Sequence, residues 1–297
     1  MATEFRPGDL AIGIDFGGSG IKGAVVDTRT GQFLGDRIRV PTPQPSVPRE
    51  VVAVMDGLVR RLLEPLTGAA SPSLSAADAA MLPVGVGIPA ATRAGTVLTA
   101  ANIDSAWIGF PAEREMALAM GRIVAIGNDA DVAGLAELRF GSGRRQRGTI
   151  IVLTIGTGMG SALFADGRLL PNTELGHLEL NGRDAEERVA ESARDRLNLG
   201  WKDWASGFDA YLRMLERLFW PDLFILGGGA SKRSDNYMQY LTVKTPVVIA
   251  TLKNNAGIVG GALIAHEKRS REASNGPESG SPEPWTARTA GRGGAPG

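Results

Sequence analysis

Three glycine clusters stand beside residues that can bind or transfer a phosphoryl group. Glycine runs are costly unless the backbone must turn tightly or approach a ligand, and N–H groups in such turns form concavities that bind anions. A tight hairpin explains any one cluster equally well, but three in one chain favour phosphate binding. The residues predicted to contact phosphate are Gly17, Gly18, Ser19, Gly20, Lys22, Gly156, Thr157, Gly158, Gly160, Gly227, Gly228 and Gly229.

Two common phosphate-binding motifs do not fit the first cluster. A dinucleotide-binding fingerprint needs a helix directly after its glycines, whereas the segment IKGAVVD that follows here is typical of a strand. A Walker loop needs a lysine followed by serine or threonine, but Lys22 precedes Gly23. The pattern instead predicts two glycine hairpins that hold a phosphate chain from both sides of a cleft, as in the actin-like arrangement.

Asp129 is the candidate general base. It follows the strand-like segment RIVAI and begins a helical pattern, so its carboxylate can point into a cleft and accept a hydroxyl proton. A role as helix cap explains its position equally well from spacing alone, although Asp131 is the preferred candidate for the cap.

The elements that must position these residues occur twice along the chain. Residues 10–40 predict three antiparallel strands with a glycine turn between the first two, followed by a helix over 49–66, a loop over 67–80 and a strand ending at Pro89. The segment 149–170 repeats the pattern of apolar strand, glycine turn and strand. This internal repeat predicts two similar lobes, each beginning with a glycine hairpin.

The composition excludes several classes of protein. The chain has 297 residues, no net charge, two histidines and no cysteine, so disulfide frameworks and cysteine-ligated zinc or iron–sulfur sites are excluded. A zero net charge gives no general attraction to nucleic acid or membrane. We found no signal-peptide pattern and no apolar run of about 20 residues, which predicts a cytoplasmic protein with neither nucleic-acid nor membrane partners.

Five ordered segments resemble the ROK family of sugar kinases. They are IGIDFGGSGIKGAVVD, GNDADVAGLAE, IGTGMGSAL, NTELGHLEL and LFILGGG, and the likeness runs from about residue 10 to residue 266. Most members of the family bind structural zinc through a cysteine cluster. This chain has no cysteine, so no structural zinc is expected. In this it resembles the actinobacterial polyphosphate glucokinases and glucomannokinases of the family.

The resemblance assigns roles to particular residues. It makes Asp129 the general base and Asp15 the residue on the Mg²⁺ side. The residues implied in sugar binding are Asn102, Asn128, Asp129, Glu174, His177 and, by a rough alignment, Glu187. The first interpretation of the three arginines Arg144, Arg145 and Arg147 is an exposed, solvated loop. If the donor is a long polyanion, these arginines together with Lys232 and Arg233 are the candidates for binding it.

The predicted fold is an α/β, two-lobed actin-like ATPase (ribonuclease H-like) fold of the ROK sugar kinase type. One lobe comprises residues 1–127 with a C-terminal helix over 256–266 packed back onto it, the other comprises 128–255, and 267–297 are expected to form a disordered tail. The implied reaction makes glucose 6-phosphate from glucose, and mannose 6-phosphate where mannose is accepted, with polyphosphate, ATP or both as donor, in a homodimer. The alternatives are an ATP-only hexose or N-acetylhexosamine kinase, a sugar-sensing regulator of the same family and a filament-forming actin-like protein.

Overall fold

The computed structural model describes residues 5–68 and 73–275. The strands of the first half are β1 Leu10–Gly17, β2 Gly20–Asp27, β3 Phe33–Val40, β4 Val84–Ile88, β5 Thr92–Arg93, β6 Thr96–Val97 and β7 Val124–Asn128. Its helices are α1 Pro48–Thr67, α2 Ala76–Met81, α3 Ala112–Met120 and α4 Asp129–Phe140. A short 3-10 turn, Ser105–Trp107, precedes α3.

The second half of the chain has the same succession of elements. Its strands are β8 Thr149–Ile155, β9 Met159–Ala165, β10 Arg168–Leu170, β11 Leu223–Gly228 and β12 Val247–Ile249. Its helices are α5 Glu186–Val189, α6 Glu191–Arg196, α7 Trp201–Phe219 and α8 Ala256–Asn275. The 3-10 turns are Leu175–His177, Ala230–Asn236, Met238–Tyr240 and Lys253–Asn255.

Two five-stranded sheets share one strand order, which confirms the predicted internal repeat. The first sheet runs β3-β2-β1-β4-β7 and the second runs β10-β9-β8-β11-β12. In the first sheet β3, β2 and β1 pair in antiparallel fashion, and β4 and β7 run parallel to β1. In the second sheet β10, β9 and β8 pair in antiparallel fashion, and β11 and β12 run parallel to β8. The glycine turns therefore occupy equivalent places, between β1 and β2 and between β8 and β9.

Helices α4 and α8 form a layer between the two sheets. Apolar residues of α8 pack on the inner face of the first sheet, and α4 contributes Ala133 and Ala136 to the same cluster. On its other side, α4 places Leu135 and Leu138 against the second sheet. Helices α1 and α3 cover the outer face of the first sheet, and α7 covers the outer face of the second. The inner strands of each sheet are thus buried on both faces, which is why β1, β4 and β8 are nearly continuous apolar runs, whereas the edge strand β3 is largely exposed.

Glycine allows α8 to approach the first sheet at backbone distance. A Cβ at Gly13 of β1 would lie 1.8 Å from the carbonyl oxygen of Ile258, and one at Gly85 of β4 would lie 1.8 Å from that of Gly261. A Cβ at Gly260 would lie 1.7 Å from the carbonyl oxygen of Val132 in α4. The start of α8 also lies close to the carboxyl end of β1, where a Cβ at Gly257 would lie 3.0 Å from the carboxyl carbon of Asp15.

Two predicted boundaries are wrong. The last helix continues to Asn275 instead of ending at residue 266, because Lys268 bonds Glu113 and Arg269 bonds the carbonyl of Gly8, which fixes this polar extension to the first sheet's side of the molecule. The rest of the predicted tail, 276–297, lies outside the described residues. Within the predicted loop 67–80, residues 76–81 form α2, capped by Ser75, while 69–72 are not described. No helix in the described ranges is long and apolar enough to cross a bilayer.

Candidate active site

A cavity of about 170 Å³ opens between the two sheets and brings several predicted residues together. It is walled by the carboxyl ends of β1, β8 and β11, by one side of α4 and by the start of α8. The lining residues are Asp15, Lys22, Asp129, Ala130, Ala133, Glu137, Val152, Thr154, Gly227, Gly228, Ala250, Lys253, Asn254, Ala256 and Gly257. The cavity therefore holds the candidate base, the candidate metal-side carboxylate, a lysine and the third glycine cluster.

Asp129 is the first residue of α4 and faces this cavity. The cap of α4 is Asn128, whose side-chain oxygen accepts hydrogen bonds from the N–H groups of Ala130 and Asp131. The prediction that Asp131 caps the helix is therefore wrong, because the residue that ends β7 already supplies the acceptor. This leaves the Asp129 carboxylate at the helix start with its own bond to the Ala130 N–H, 2.8 Å away.

The surroundings of Asp129 favour a carboxyl group that exchanges a proton near neutral pH. Burial is the main cause that raises the pKa of Asp129, the charges of Asp15, Glu174 and Asp131 add to it, and the hydrogen bond from the Ala130 N–H opposes it. Together these effects bring the pKa of Asp129 to about 7. Burial likewise raises the pKa of Asp131 to about 6. A carboxylate with a pKa this close to the pH of the cell is suited to act as general base.

Asp15 and Lys22 face each other across the β1–β2 ladder. Lys22 Nζ donates to Asp15 Oδ2 at 2.8 Å, and both side chains are partly exposed to the cavity. Within the part of the chain that is described, no cluster of three or more metal-ligating side chains occurs. One carboxylate beside a predicted phosphate-binding pocket fits Mg²⁺, since this ion keeps several waters and takes further oxygens from substrate phosphates.

The first glycine turn is held in place through its carbonyl groups. Thr42 Oγ1 donates to the carbonyl of Gly17, Gln44 Nε2 to that of Gly18 and Arg39 to that of Ser19. The turn begins two residues beyond Asp15 on β1, so it extends from the strand end that lines the cavity.

The second and third glycine clusters are neighbours in the second sheet. Thr154 and Ile155 of β8 lie opposite Gly227 and Gly228 of β11. Gly228 has φ +77°, and a Cβ there would lie 2.4 Å from the carbonyl oxygen of Ile155. Gly160 makes room for Thr154, whose hydroxyl would lie 2.5 Å from an added Cβ. The predicted residues Gly156, Thr157 and Gly158 form the turn directly after this cavity wall, and Gly229 follows Gly228.

The predicted sugar-binding residues differ in their burial and in the groups that they contact. Glu174 raises the pKa of Asp129 through its charge, and burial raises its own pKa. Asn128 uses its oxygen as the cap and donates to the carbonyl of Ala90 at 3.3 Å, which leaves one amide hydrogen for a substrate. His177 is exposed, and its hydrogen bond with Asp184 raises its pKa. Asn102 is exposed, with its carbonyl next to Gly18.

Glu186 occupies a more central position than the predicted Glu187. Glu187 is exposed and lies 3.9 Å from Arg183. Glu186 accepts a hydrogen bond from the Met159 N–H directly after the second glycine turn, and its charge acts on the pKa values of Glu174 and His177. Sequence reasoning missed Glu186, because two adjacent glutamates at the start of a short helix cannot be told apart by pattern.

Two further residues were missed. Glu137 is buried and accepts hydrogen bonds from the N–H groups of Ser142, Thr251 and Leu252, which ties α4 to the segment before α8. Lys253 enters the cavity from that segment. Its signal in the sequence is weak, because a single lysine in a loop usually lies in solvent.

Asn172 connects the two halves of the molecule beside the predicted sugar residues. Its side chain exchanges two hydrogen bonds with the backbone of Thr92, each 2.8 Å long, and its own N–H donates to Asp131 at 2.7 Å. Asn172 has φ +57°, a conformation that asparagine adopts readily. Since Glu174 is only two residues away, we expect Asn172 to position this carboxylate relative to α4.

We expect Asn172→Gly, which tolerates the same backbone conformation, to raise the KM for the sugar that the family resemblance implies about fivefold to tenfold, because two hydrogen bonds worth about 1 kcal/mol in net effect are lost. The KM for the implied phosphoryl donor should change less, because the predicted phosphate-binding residues are untouched. Steady-state kinetics with each substrate varied in turn measure both values. An unchanged sugar KM together with a lowered melting temperature would show that Asn172 only braces the fold.

Comparison with known proteins yields a family match over residues 11–192, to the model described as ROK family. The chain is 44% identical over 265 residues to a polyphosphate glucokinase of Mycobacterium tuberculosis (strain CDC 1551 / Oshkosh), with 89% of this chain and 93% of that protein covered.

Two solved structures extend the comparison. The inorganic polyphosphate/ATP-glucomannokinase from Arthrobacter sp. strain KM superposes with a TM-score of 0.79 at 45% identity, covering 87% of this chain and 99% of that one. A ROK family glucokinase from Streptomyces griseus, in complex with glucose and AMPPNP, gives a TM-score of 0.69 at 24% identity, with 87% and 99% covered. The predicted α/β actin-like ATPase fold is confirmed.

Proposed function

The chain belongs to the ROK family, and from this membership we propose that it is a kinase that phosphorylates glucose from inorganic polyphosphate or ATP. Two relatives that are 44–45% identical to this chain carry this activity in their names. The matched region covers 93% of one and 99% of the other. The observation that carries the proposal at residue level is the cavity in which Asp129, Asp15, Lys22 and a glycine cluster meet.

Asp129 acts as the general base of the transfer. Its carboxylate accepts the proton of the sugar's 6-hydroxyl as that oxygen bonds to the terminal phosphorus of the donor. The bond between this phosphorus and the bridging oxygen breaks, and shortened polyphosphate or ADP leaves with the electron pair. Phosphoryl transfer depends mainly on positioning and charge, so the cavity walls contribute as much as the base.

The donor phosphates lie against Lys22, the glycine turns and Thr154. Lysine supplies a point charge, and the turns let the backbone come close to phosphate oxygens. Asp15 would hold Mg²⁺, which would supply charge neutralisation to the donor phosphates. Lys22 keeps the Asp15 carboxylate oriented when the metal is absent.

The sugar lies on the side of Asp129 that faces Glu174. Glu174 and His177 bind hydroxyl groups of the sugar, and Asn128 and Asn102 make further contacts. Glu186, rather than Glu187, lies next to these residues and holds them in place. A carboxylate built to bond a hydroxyl discriminates strongly against sugars that lack it. Mannose differs from glucose only in the configuration at C2 and is accepted in the same pocket.

The assembly proposed is a cytoplasmic homodimer. Each subunit has two lobes, 1–127 with α8 and 128–255, which close over the substrates and exclude water as a competing acceptor.

Product analysis with a panel of acceptors tests the function. Glucose, mannose and N-acetylglucosamine are each incubated with Mg²⁺ and either ATP or long-chain polyphosphate, and the sugar phosphates are separated and identified. We expect glucose 6-phosphate from both donors and mannose 6-phosphate at a lower rate. Turnover with ATP but not with polyphosphate would show an ATP-only hexose kinase instead. Faster phosphorylation of N-acetylglucosamine than of glucose would show that N-acetylglucosamine, not glucose, is the acceptor.

The raised pKa of Asp129 predicts the pH dependence of the reaction. Only the ionised carboxylate can take the proton, and its pKa is about 7, so kcat/KM for glucose should fall about tenfold for each pH unit below this value and level off above it. A pH profile from 5 to 9 measures this, with both donors used to separate ionisation of the donor from that of the enzyme. A flat profile between pH 5 and 7 would contradict the role of Asp129.

A further inference from the structure

A row of basic side chains leads away from the cavity across the first sheet. Asp15 of β1 lies opposite Lys22 of β2, and Lys22 lies opposite Arg39 of β3. Residues directly opposite one another on neighbouring strands share a face of the sheet. A Cβ added at Gly257 of α8 would lie 3.0 Å from the carboxyl carbon of Asp15, so this row lies on the inner face and extends from the cavity toward the edge strand.

Arg39 lies directly against the first glycine turn. An added Cβ at Gly20 would lie 2.6–2.7 Å from the guanidinium atoms, and Arg39 donates to the carbonyl of Ser19 at 3.1 Å. The residue is otherwise exposed. Its charge therefore stands at the turn that carries the first predicted phosphate contacts.

Arg37 continues the row toward the second wall of the cavity. It is two residues from Arg39 on β3, a separation of about 6.6 Å along a strand. Its guanidinium donates to the side chain of Asn255 at 3.0 Å, and Asn255 directly follows Lys253 and Asn254, which line the cavity. Arg37 and Arg39 therefore contact the two segments beside the cavity, the one that carries Lys253 and the first glycine turn.

These three cations form no ion pair with a carboxylate anywhere in the described ranges 5–68 and 73–275. Neighbouring arginines repel one another, and a chain of negative charges relieves this repulsion at several points at once. Arginine also bonds phosphate through two N–H groups. The ligand that matches this row is a linear polyanion.

We propose that Arg39, Arg37 and Lys253, here called the β3 track, bind the phosphates of inorganic polyphosphate that lie beyond the one being transferred. This inference rests on the proposed use of polyphosphate as donor. It places the chain over the first sheet instead of along Arg144, Arg145 and Arg147, which are exposed in the loop between α4 and β8. Beyond its phosphates ATP carries an uncharged nucleoside. The track therefore adds less to the affinity for ATP than to the affinity for a long polyphosphate chain.

The double variant Arg37→Gln/Arg39→Gln tests the track. Its KM for long-chain polyphosphate should rise about tenfold or more relative to its KM for ATP, because two charge-assisted contacts are lost. The wild-type KM per chain should fall as the polyphosphate lengthens from three phosphates, and the variant should lose most of this dependence. By analogy with single-stranded nucleic acids, each lost contact lowers the slope of log KM against log salt concentration by about 0.7.

Three further variants separate charge from structure. Arg37→Lys/Arg39→Lys keeps both charges and should retain most of the chain-length dependence. If Arg39 only supported the glycine turn through its guanidinium, this variant would behave like Arg37→Gln/Arg39→Gln. Arg60→Gln/Arg61→Gln removes two exposed arginines from α1, on the other face of the sheet, and should change neither KM. Arg144→Gln/Arg145→Gln should also leave the chain-length dependence intact.

The outcomes distinguish the track from the proposed function. If the wild type uses polyphosphate but Arg37→Gln/Arg39→Gln keeps the wild-type KM and chain-length dependence, the track is wrong while the function stands. The same holds if Arg144→Gln/Arg145→Gln shows the loss instead. If the wild type phosphorylates glucose from ATP alone, the polyphosphate donor is wrong and the track falls with it.

Discussion

Asp129→Asn should lower kcat for glucose phosphorylation by about 10²–10⁴, the usual contribution of a general base. Asparagine has nearly the same shape, but it cannot take the proton of the attacking hydroxyl. The cap of α4 is unaffected, because Asn128 supplies it. Initial rates at saturating glucose and donor measure the loss. A variant with more than about a tenth of wild-type kcat would show that another group accepts the proton.

The stability of the same variant provides the control for folding. The folded-state pKa of Asp129, about 7, lies above the ordinary value of an unfolded aspartate, about 3.9. Folding therefore favours the protonated form, and the stability this group contributes at low pH is lost as the pH rises through 7. At pH 8 Asp129→Asn carries no buried charge and should melt at or above the wild-type temperature, and this advantage should shrink toward pH 5. A variant that melts well below the wild type at pH 8 would mean that lost activity reflects lost structure.

Gly85→Ala should destabilise the protein by about 3 kcal/mol or more, at the upper end of the usual cost of overpacking. The added Cβ would lie 1.8 Å from the carbonyl oxygen of Gly261 and 2.5 Å from its carbonyl carbon. These are backbone atoms in the middle of α8, so relief requires the whole helix to move away from β4. The loss corresponds to a melting temperature lower by roughly 6–12 °C.

Gly57→Ala is the matched control for this substitution. Gly57 lies inside α1, and an added Cβ meets nothing within 4 Å. Because alanine favours the helix by about 0.5–1 kcal/mol over glycine, this variant should be slightly more stable than the wild type. Thermal unfolding of both variants measures the contrast. Equal melting temperatures would show that α8 yields to the extra methyl group and does not pack at backbone distance.

Much of the fold follows from local pattern. β-branched runs separated by glycine turns predicted β1–β4 and β7–β9, and the repeat of this pattern predicted two similar lobes, each beginning with a glycine hairpin. The two sheets do share one strand order, but the short strand β12 was not predicted. The end of α8 could not be predicted in the same way. Residues 267–275 are polar, and they remain helical through contacts with Glu113 and Gly8, which are distant in sequence.

The candidate site was predictable where chemistry and strand ends coincide. Asp15, Lys22 and Asp129 adjoin strand ends, and the parallel strands bring those ends to one cavity. Asn128 was expected as a sugar contact, but its role as cap depends on which residue ends β7, and neighbouring residues compete for this position. Lys253 and Glu186 enter from segments without regular patterns, so only the folded chain brings them to the site.

The formation of glucose 6-phosphate from glucose and long-chain polyphosphate by the purified protein, with Mg²⁺ and without any nucleotide, tests the proposed function. We expect steady turnover by the wild type and turnover about 10²–10⁴ times lower by Asp129→Asn. Absence of glucose 6-phosphate with polyphosphate and also with ATP, from a protein shown to be folded, would contradict the assignment of this site to glucose phosphorylation.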